Sequence, residues 1–273
     1  MKNLTTKSLG ALLICILMIF TSCSKEEVAD LKTQKVPVAF SFDGLDVSET
    51  DLTTRAAMST ASAPDKVFYL ITEASTGKVA IQGECQRTEG LTLELLPGDY
   101  NCKFACMENL KSPLLITDLN SQHFYGAEQG LKVLETGAQA NVVLKRFVSA
   151  VEIVKSDGLK LLPWVSLKAS ITSPTSFDLA AGTFATATKW PAVTGDNNFN
   201  FLFPAENVKI EVTIHSDLTN MDYDKYFRIV KVSPNKKYKV IVKLLSGGND
   251  GSNLGGAKIS FDIVEDWDGS ETI

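Results

Sequence analysis

The chain has 273 residues and a formal net charge of −5, with 44% hydrophobic and 22% charged residues. That is a globular composition, long enough for two domains of ordinary size once a leader is removed. A mildly acidic chain with no basic stripe is a poor candidate for nucleic acid, and none is expected as a partner.

Residues 1–22 read as a signal peptide. Lys2 and Lys7 are followed by an uncharged apolar run from Leu9 to Phe20. That run of about 12 residues falls short of the roughly 20 needed to span a bilayer as a helix. Thr21 and Ser22 are small, and Cys23 stands where a cleavage site belongs. Its thiol can carry a diacylglyceryl group, and its newly freed amine can be acylated. At about 0.8 kcal/mol per buried methylene, two or three such chains anchor a protein for good. Two lysines and no acid leave with the leader, which takes the charge from −5 to −7. Residues 23–35 are polar and read as a lipidated tether.

From Val36 onward the periodicity is that of strands. Val36, Val38, Phe40 and Phe42 fall on one face of the first. Residues 43–65 are polar or small and carry no apolar period. Strands are expected at 67–71, 78–81, 91–95 and 100–106, separated by Thr76-Gly77, Glu89-Gly90 and Pro97-Gly98-Asp99. Cys102, Phe104 and Cys106 alternate, so all three should point inward. The mixed stretch 107–138 suggests a short helix around 112–120. Strand character returns at 141–144 and 150–154. A second set follows at 165–171, 199–203, 208–214, 226–232, 238–245 and 257–264. Short strands at this spacing, with no sustained helix period, predict an all-β chain. The expected architecture is two antiparallel β-sandwiches in tandem, 36–146 and 147–273.

Catalytic chemistry finds no support. There is no Gly-x-Ser-x-Gly, no His-Glu-x-x-His and no phosphate-binding glycine loop, so neither an enzyme nor a cofactor is expected. No metal site is expected either. His123 and His215 are isolated in sequence, and Gly247–Asn253 lacks the spaced acids of a calcium loop. The acids Asp262, Glu265, Asp266 and Asp268 read as solvated. A disulfide from Cys85 to Cys102 or Cys106 is open to an exported protein, although cysteine also packs well as a small buried hydrophobe. Free buried thiols are the preferred reading. Trp164, Trp190 and Trp267, with Tyr223 and Tyr226, are candidate sugar-stacking rings, against the default of buried or rim aromatics.

Taken in order, several segments resemble the Bacteroidales fimbrillin family, the subunits of type V pili. Phe20-Thr21-Ser22-Cys23 resembles a lipobox, and Ser24-Lys25-Glu26-Glu27 resembles the short signal that sends Bacteroidetes lipoproteins to the outer face of the outer membrane. Ala63–Ile71 with Thr76-Gly77-Lys78, and Leu91–Tyr100 with its Pro-Gly turn, look like early strands of that family. Val143–Val151 resembles the passage between its domains. Phe201-Leu202-Phe203-Pro204, Lys237–Val240 and Val264–Trp267 resemble its second half.

The resemblance implies two transthyretin-like sandwiches in a surface-exposed outer-membrane lipoprotein of the fimbrium. Its implied partners are other fimbrial subunits, in a homo- or hetero-polymer, the outer membrane through the lipid, and ligands on host or bacterial surfaces. It also implies a processing site. In fimbrillin shaft subunits a trypsin-like protease trims the precursor at an arginine placed as Arg55 is. Arg55-Ala56 lies in a polar, small-residue stretch where Arg55 is the only basic residue between Lys35 and Lys66. A cut there would release the strand of Val36, Val38, Phe40 and Phe42. The C-terminal segment carrying Ile259, Phe261 and Ile263 would serve as the donor that replaces it in a neighbour. The alternative is a glycan-binding surface lipoprotein that stays monomeric.

Overall fold

The structure, a computed structural model, describes residues 34–42, 64–107, 114–117, 119, 125–157, 159, 161, 163–246 and 258–265. Every regular element among them is a β-strand. The first half contributes β1 (Val36–Ser41), β2 (Lys66–Glu73), β3 (Val79–Gln86), β4 (Leu91–Leu95) and β5 (Gly98–Cys106). It continues with β6 (Leu115–Ile116), β7 (Tyr125–Val133), β8 (Ala138–Asn141) and β9 (Lys145–Arg146). Two sheets result, one in the order β4-β1-β8 and one in the order β3-β2-β5-β7-β9. Alternation turns one face of each toward the other. Leu91, Leu93 and Leu95 of β4 are buried with Val67 and Ile71 of β2 and Phe104 of β5 in a first core. The residues between the three leucines, Thr92 and Glu94, are exposed.

The second half supplies β10 (Ser149–Lys155), β11 (Val165–Ser173), β12 (Phe177–Asp178), β13 (Thr183–Phe184) and β14 (Thr188–Ala192). After these come β15 (Phe199–Leu202), β16 (Ala205–Ser216), β17 (Met221–Val232), β18 (Lys237–Ser246) and β19 (Lys258–Glu265). Sheets β15-β10-β18-β19 and β14-β11-β16-β17 share a second core that includes Val151, Ile171, Val212, Val240 and Phe261.

Among the described residues, every ladder but one stays on its own side of residue 147. The exception joins β6 to β12, with Ile116 opposite Phe177. A third core lies beside that crossing. It takes Phe68 and Leu70 from the far face of β2 and Val148, Leu179 and Phe203 from the second half. Phe147, Phe177, Phe184 and Phe203 gather there with ring centroids 5.0 to 6.4 Å apart. Arg146, only 2% exposed, donates from Nη1 to Asn235 Oδ1 at 2.9 Å, across to the turn between β17 and β18.

The elements depart from expectation in five places. Within the stretch expected to be a short helix, Leu115 and Ile116 form a strand instead. Ile116 is buried in the third core, and that tertiary burial outweighs local preference. The strand expected at 141–144 lies at 138–141, where parallel pairing with β1 holds it. β7 was not expected, because its glycines and few inward side chains blur the period. The three strands of 177–192 were also unforeseen, and β17 starts earlier than its apolar pattern does, in the polar run after Met221.

One polar constellation braces the sheet β14-β11-β16-β17. Glu211 of β16 points away from the second core, yet its side chain is only 7% exposed. Lys225 reaches it at 2.8 Å and Lys209 at 3.2 Å, and Lys189 pairs with it as well. Burial pushes the carboxyl up from its ordinary 4.5, but hydrogen bonds from Lys189, Lys225 and Lys209 outweigh this and hold it down at about 2. A value depressed by folding gives stability that is present above the ordinary value and lost as pH falls through the folded one. Glu211→Gln should therefore lower stability at pH 7 by about 1–2 kcal/mol, the lysines being half-exposed. Urea unfolding over a pH series should show the deficit closing between about pH 4.5 and pH 2. A deficit that stays constant over that window contradicts this account.

Candidate functional site: the seat of the first strand

β1 lies between two strands that do not pair with each other. It runs antiparallel to β4, with Val38 opposite Leu93, and parallel to β8, with Val38 opposite Ala138. Its backbone is thus bonded along both edges, and the Val142 amide adds a bond to the Ser41 carbonyl at 2.8 Å. Val38, Phe40 and Phe42 are buried, and Val36 packs partly buried against the same core. Phe40 and Phe42 meet the ring of Phe104 edge-on at 5.3 and 5.4 Å. Four apolar side chains on one face, each contributing about 1.5–3 kcal/mol when fully buried, hold the strand down.

Two glycines shape this seat, and sequence reasoning missed the role of both. Gly90 sits at φ +75, and a Cβ there would stand 2.8 Å from the Phe40 carbonyl oxygen. Gly137 sits at φ +99, and a Cβ there would fall against the carbonyl oxygen of Pro37. Each lets a flanking chain close on β1 where any larger residue would push it away. The Glu89-Gly90 turn was visible in sequence, but nothing local says what the missing side chain makes room for.

The candidate donor, β19, is at home in a different sheet. Ile259 and Phe261 are buried in the second core, and Ile263 packs against it. Among the described residues β19 pairs with β18 alone. Side chains of β17 clasp it across the sheet gap. Asp224 Oδ2 accepts the Ile259 amide at 2.7 Å, and the Tyr226 ring meets Phe261 edge-on at 5.1 Å. Lys243 pairs with Asp262 and holds that carboxyl below its usual range by hydrogen bonding. The first-strand seat and the donor therefore sit apart within one chain. Cys23, Arg55 and Ala56 lie outside the described residues.

The cysteines flank β2. Cys85 of β3 and Cys106 of β5 both stand opposite Val67, from either side. Two strand spacings separate their Cα atoms by about 10 Å, beyond the roughly 7 Å that a disulfide can bridge. Cys102 lies four residues from Cys106 on the same strand, about 13 Å away. All three are free thiols. Burial pushes Cys102 and Cys106 up to about 12 and Cys85 to about 11.

The sugar-stacking candidates are not brought together. Trp164 is exposed just before β11, whereas Trp190 pairs opposite Ile171, seven residues along that strand and about 20 Å away. Tyr226 is occupied against Phe261, and Trp267 lies outside the described residues. Trp190 does help line a cleft of about 400 Å³ between edge strands β14 and β15, with Phe199, Phe201, Ser173 and Thr175. Its ring N–H donates to Ser173 Oγ at 3.1 Å.

No protein-family model matches the chain, and no curated protein matches it in sequence. Solved structures do. One from Bacteroides eggerthii, assigned to cell adhesion, is 12% identical and covers 85% of this chain and 96% of its own, with a TM-score of 0.51. An adhesin structure from Bacteroides ovatus, 9% identical, covers 85% and 94% with a TM-score of 0.47. The C-terminally truncated tip fimbrial protein Mfa3 of Porphyromonas gingivalis, 11% identical, covers 86% and 100% with a TM-score of 0.44. Adhesins, cell-adhesion proteins and fimbrial proteins of Bacteroidales, the group to which the sequence resemblance pointed, are thus among the structures similar to this chain, as is a polysaccharide-binding protein from Bacteroides thetaiotaomicron. At such identities the likeness is one of fold.

Gly137→Ala should destabilise the protein by about 1–3 kcal/mol, through backbone strain and displacement of Pro37. Urea unfolding measures it, and Gly77→Ala makes the comparison, since Gly77 shares the positive φ but has open space around it. Equal losses at the two positions would rule out a steric role for Gly137. Separately, Cys102 and Cys106 should react with a thiol reagent only after unfolding, without reductant. Thiols that appear only once reductant is added would establish a disulfide.

Proposed function

We propose that this chain is a fimbrial subunit of the type V pilus kind, anchored in the outer membrane through a lipid on Cys23 and exposed at the cell surface. On this reading its sheets form two transthyretin-like sandwiches, 36–146 and 147–273, that follow a tether over 23–35. Its role is structural and adhesive, not catalytic. Cleavage after Arg55 frees β1, and the C-terminal strand of a neighbouring subunit takes its place.

The observation that carries this reading is the seat of β1. Among the described residues β4 and β8 pair with β1 alone, so removing it leaves two unpaired strands beside an apolar slot floored by Phe104, a seat that only another strand can close. β19 presents Ile259, Phe261 and Ile263 at the same two-residue period as Val38, Phe40 and Phe42, with an aromatic ring at the centre of each set. Ladder bonds would supply affinity, and the alternate side chains would supply register. Exchange from subunit to subunit does not close on itself, so it grows filaments.

A second reading, a monomeric glycan-binding surface lipoprotein, is favoured by the cleft beside Trp190. Its aromatic walls and hydroxyl groups suit a sugar ring. Glycan-array binding by the uncut monomer would support it.

Two experiments test the first reading. Cys23→Ala should abolish palmitate labelling and move the protein out of the membrane fraction. Retained label, or unchanged membrane association, would contradict the anchor. Protein without its leader, treated with mild trypsin, should form a ladder of high-mass species on size-exclusion chromatography. The four apolar anchors of β1 keep the cut fragment seated until a donor displaces it, so growth should quicken in dilute urea. Arg55→Ala protein, and protein ending at Gly256, should remain monomeric. Cut wild-type protein that stays monomeric sinks strand exchange.

A further inference from the structure

β17 is twelve residues long and pairs on one side only, with β16. Among the described residues no strand pairs with its other edge. Register with β16 is regular from Val208 to Ile214, opposite Val230 to Asp224, with irregularities only beyond these ends. The middle of the strand thus lacks the bulge and the proline that commonly blunt an edge. Its outward face is also apolar. Of the thirteen large apolar side chains left exposed among the described residues, five lie between Leu218 and Ile229. Phe227 is 51% exposed and Ile229 is 60% exposed. A free edge beside a concentrated apolar stripe is a template for another strand.

Charge selects the occupant. The residues of β17 that flank Phe227 and Ile229 on the outward face are Lys225 and Lys231, so the face reads cation, aromatic, aliphatic, cation at a period of two. From Lys225 to Val232 there are three cations and no acid, and the one carboxylate paired with Lys231 is Glu206 of β16, at 2.8 Å. Behind them, Lys189, Lys209 and Lys225 share the single carboxylate of Glu211, which leaves that cluster with excess positive charge. Lys209 lies 4.3 Å above the Phe227 ring. Pairing of β17 with a second β17 about Arg228 would set Lys225 against Lys231, which opposes self-association. We infer that the free edge of β17 binds an extended polypeptide segment of another protein whose outward side chains run acidic, apolar, apolar, acidic. Ladder bonds to the edge, apolar contact with Phe227 and Ile229, and carboxylates beside Lys225 and Lys231 would fix it. A polyanionic glycan would use the lysines but leave the open edge and the apolar stripe without a partner.

This surface is separate from the seat of β1, and its outward face lies opposite the face through which Asp224 and Tyr226 hold β19, so uncut monomer tests it whatever the outcome for strand exchange. The probe is a labelled nine-residue peptide in which threonine alternates with glutamate, valine, leucine and glutamate. Fluorescence anisotropy should give binding in the range of about 10–500 µM, weakening as salt is added. Phe227→Thr/Ile229→Thr protein, its fold checked by circular dichroism, should bind at least about fivefold more weakly. So should a peptide N-methylated on its edge-facing amides, and a peptide with lysine for glutamate should not bind. The inference is overturned by no binding up to about 1 mM. It is equally overturned if the double variant or the lysine peptide binds as the original pair does, or if polygalacturonate binds where the peptide does not.

Discussion

In β2, Val67, Tyr69 and Ile71 point into one core while Phe68 and Leu70 point into another. A strand with no wet face has to lie between two apolar layers, and here the second layer comes from the other half of the chain. Phe68 and Leu70 each contribute about 1.5–3 kcal/mol when fully buried, more than a typical net hydrogen bond, so the joint is held mainly by packing. β10 likewise has no wet face, with six of its seven residues buried. Two polar groups buried on β10 find partners within the second half. Ser149 Oγ donates to the Ser233 carbonyl, and Glu152 accepts the Asn197 amide at 2.7 Å.

β1 is committed to the fold differently. β2 takes part in two cores, so removing it would open both. β1 serves one core, through one face, and among the described residues it is the only ladder partner of β4 and of β8. The glycines at 90 and 137 let those strands approach its backbone closely, so the seat is shaped to the main chain of its occupant as well as to its side chains. The fit is set by a two-residue alternation and a close backbone approach, not by any one side chain.

The edges of the second half are handled unequally. β19 is covered by contacts from Asp224 and Tyr226, whereas β17, which supplies them, is guarded chiefly by charge. Lysines on an edge discourage self-pairing without forbidding a partner of opposite sign. The three lysines around Glu211 stiffen that same surface, because one low-lying carboxylate holds side chains from three strands in place.

Alternation alone determined much of this protein. The buried faces of β1 and β4, and the inward turn of Cys102, Phe104 and Cys106, follow from a backbone whose side chains alternate from one face to the other. Cys23 and Arg55 were legible as chemistry in a local context, a thiol after an apolar run and a lone cation in a polar stretch, and both lie outside the described residues. Tertiary structure decided the rest. It chose antiparallel and parallel neighbours for β1, made strands of Tyr125–Val133 and of the segments within 177–192, and gathered three lysines from three strands around Glu211. It also buried the second face of β2. The reason is that a strand, unlike a helix, completes its hydrogen bonds with residues far away in sequence. Local pattern can say which side of a strand is wet, but the partner lying beside it, and whether the other side is wet at all, depends on chain that the pattern does not contain.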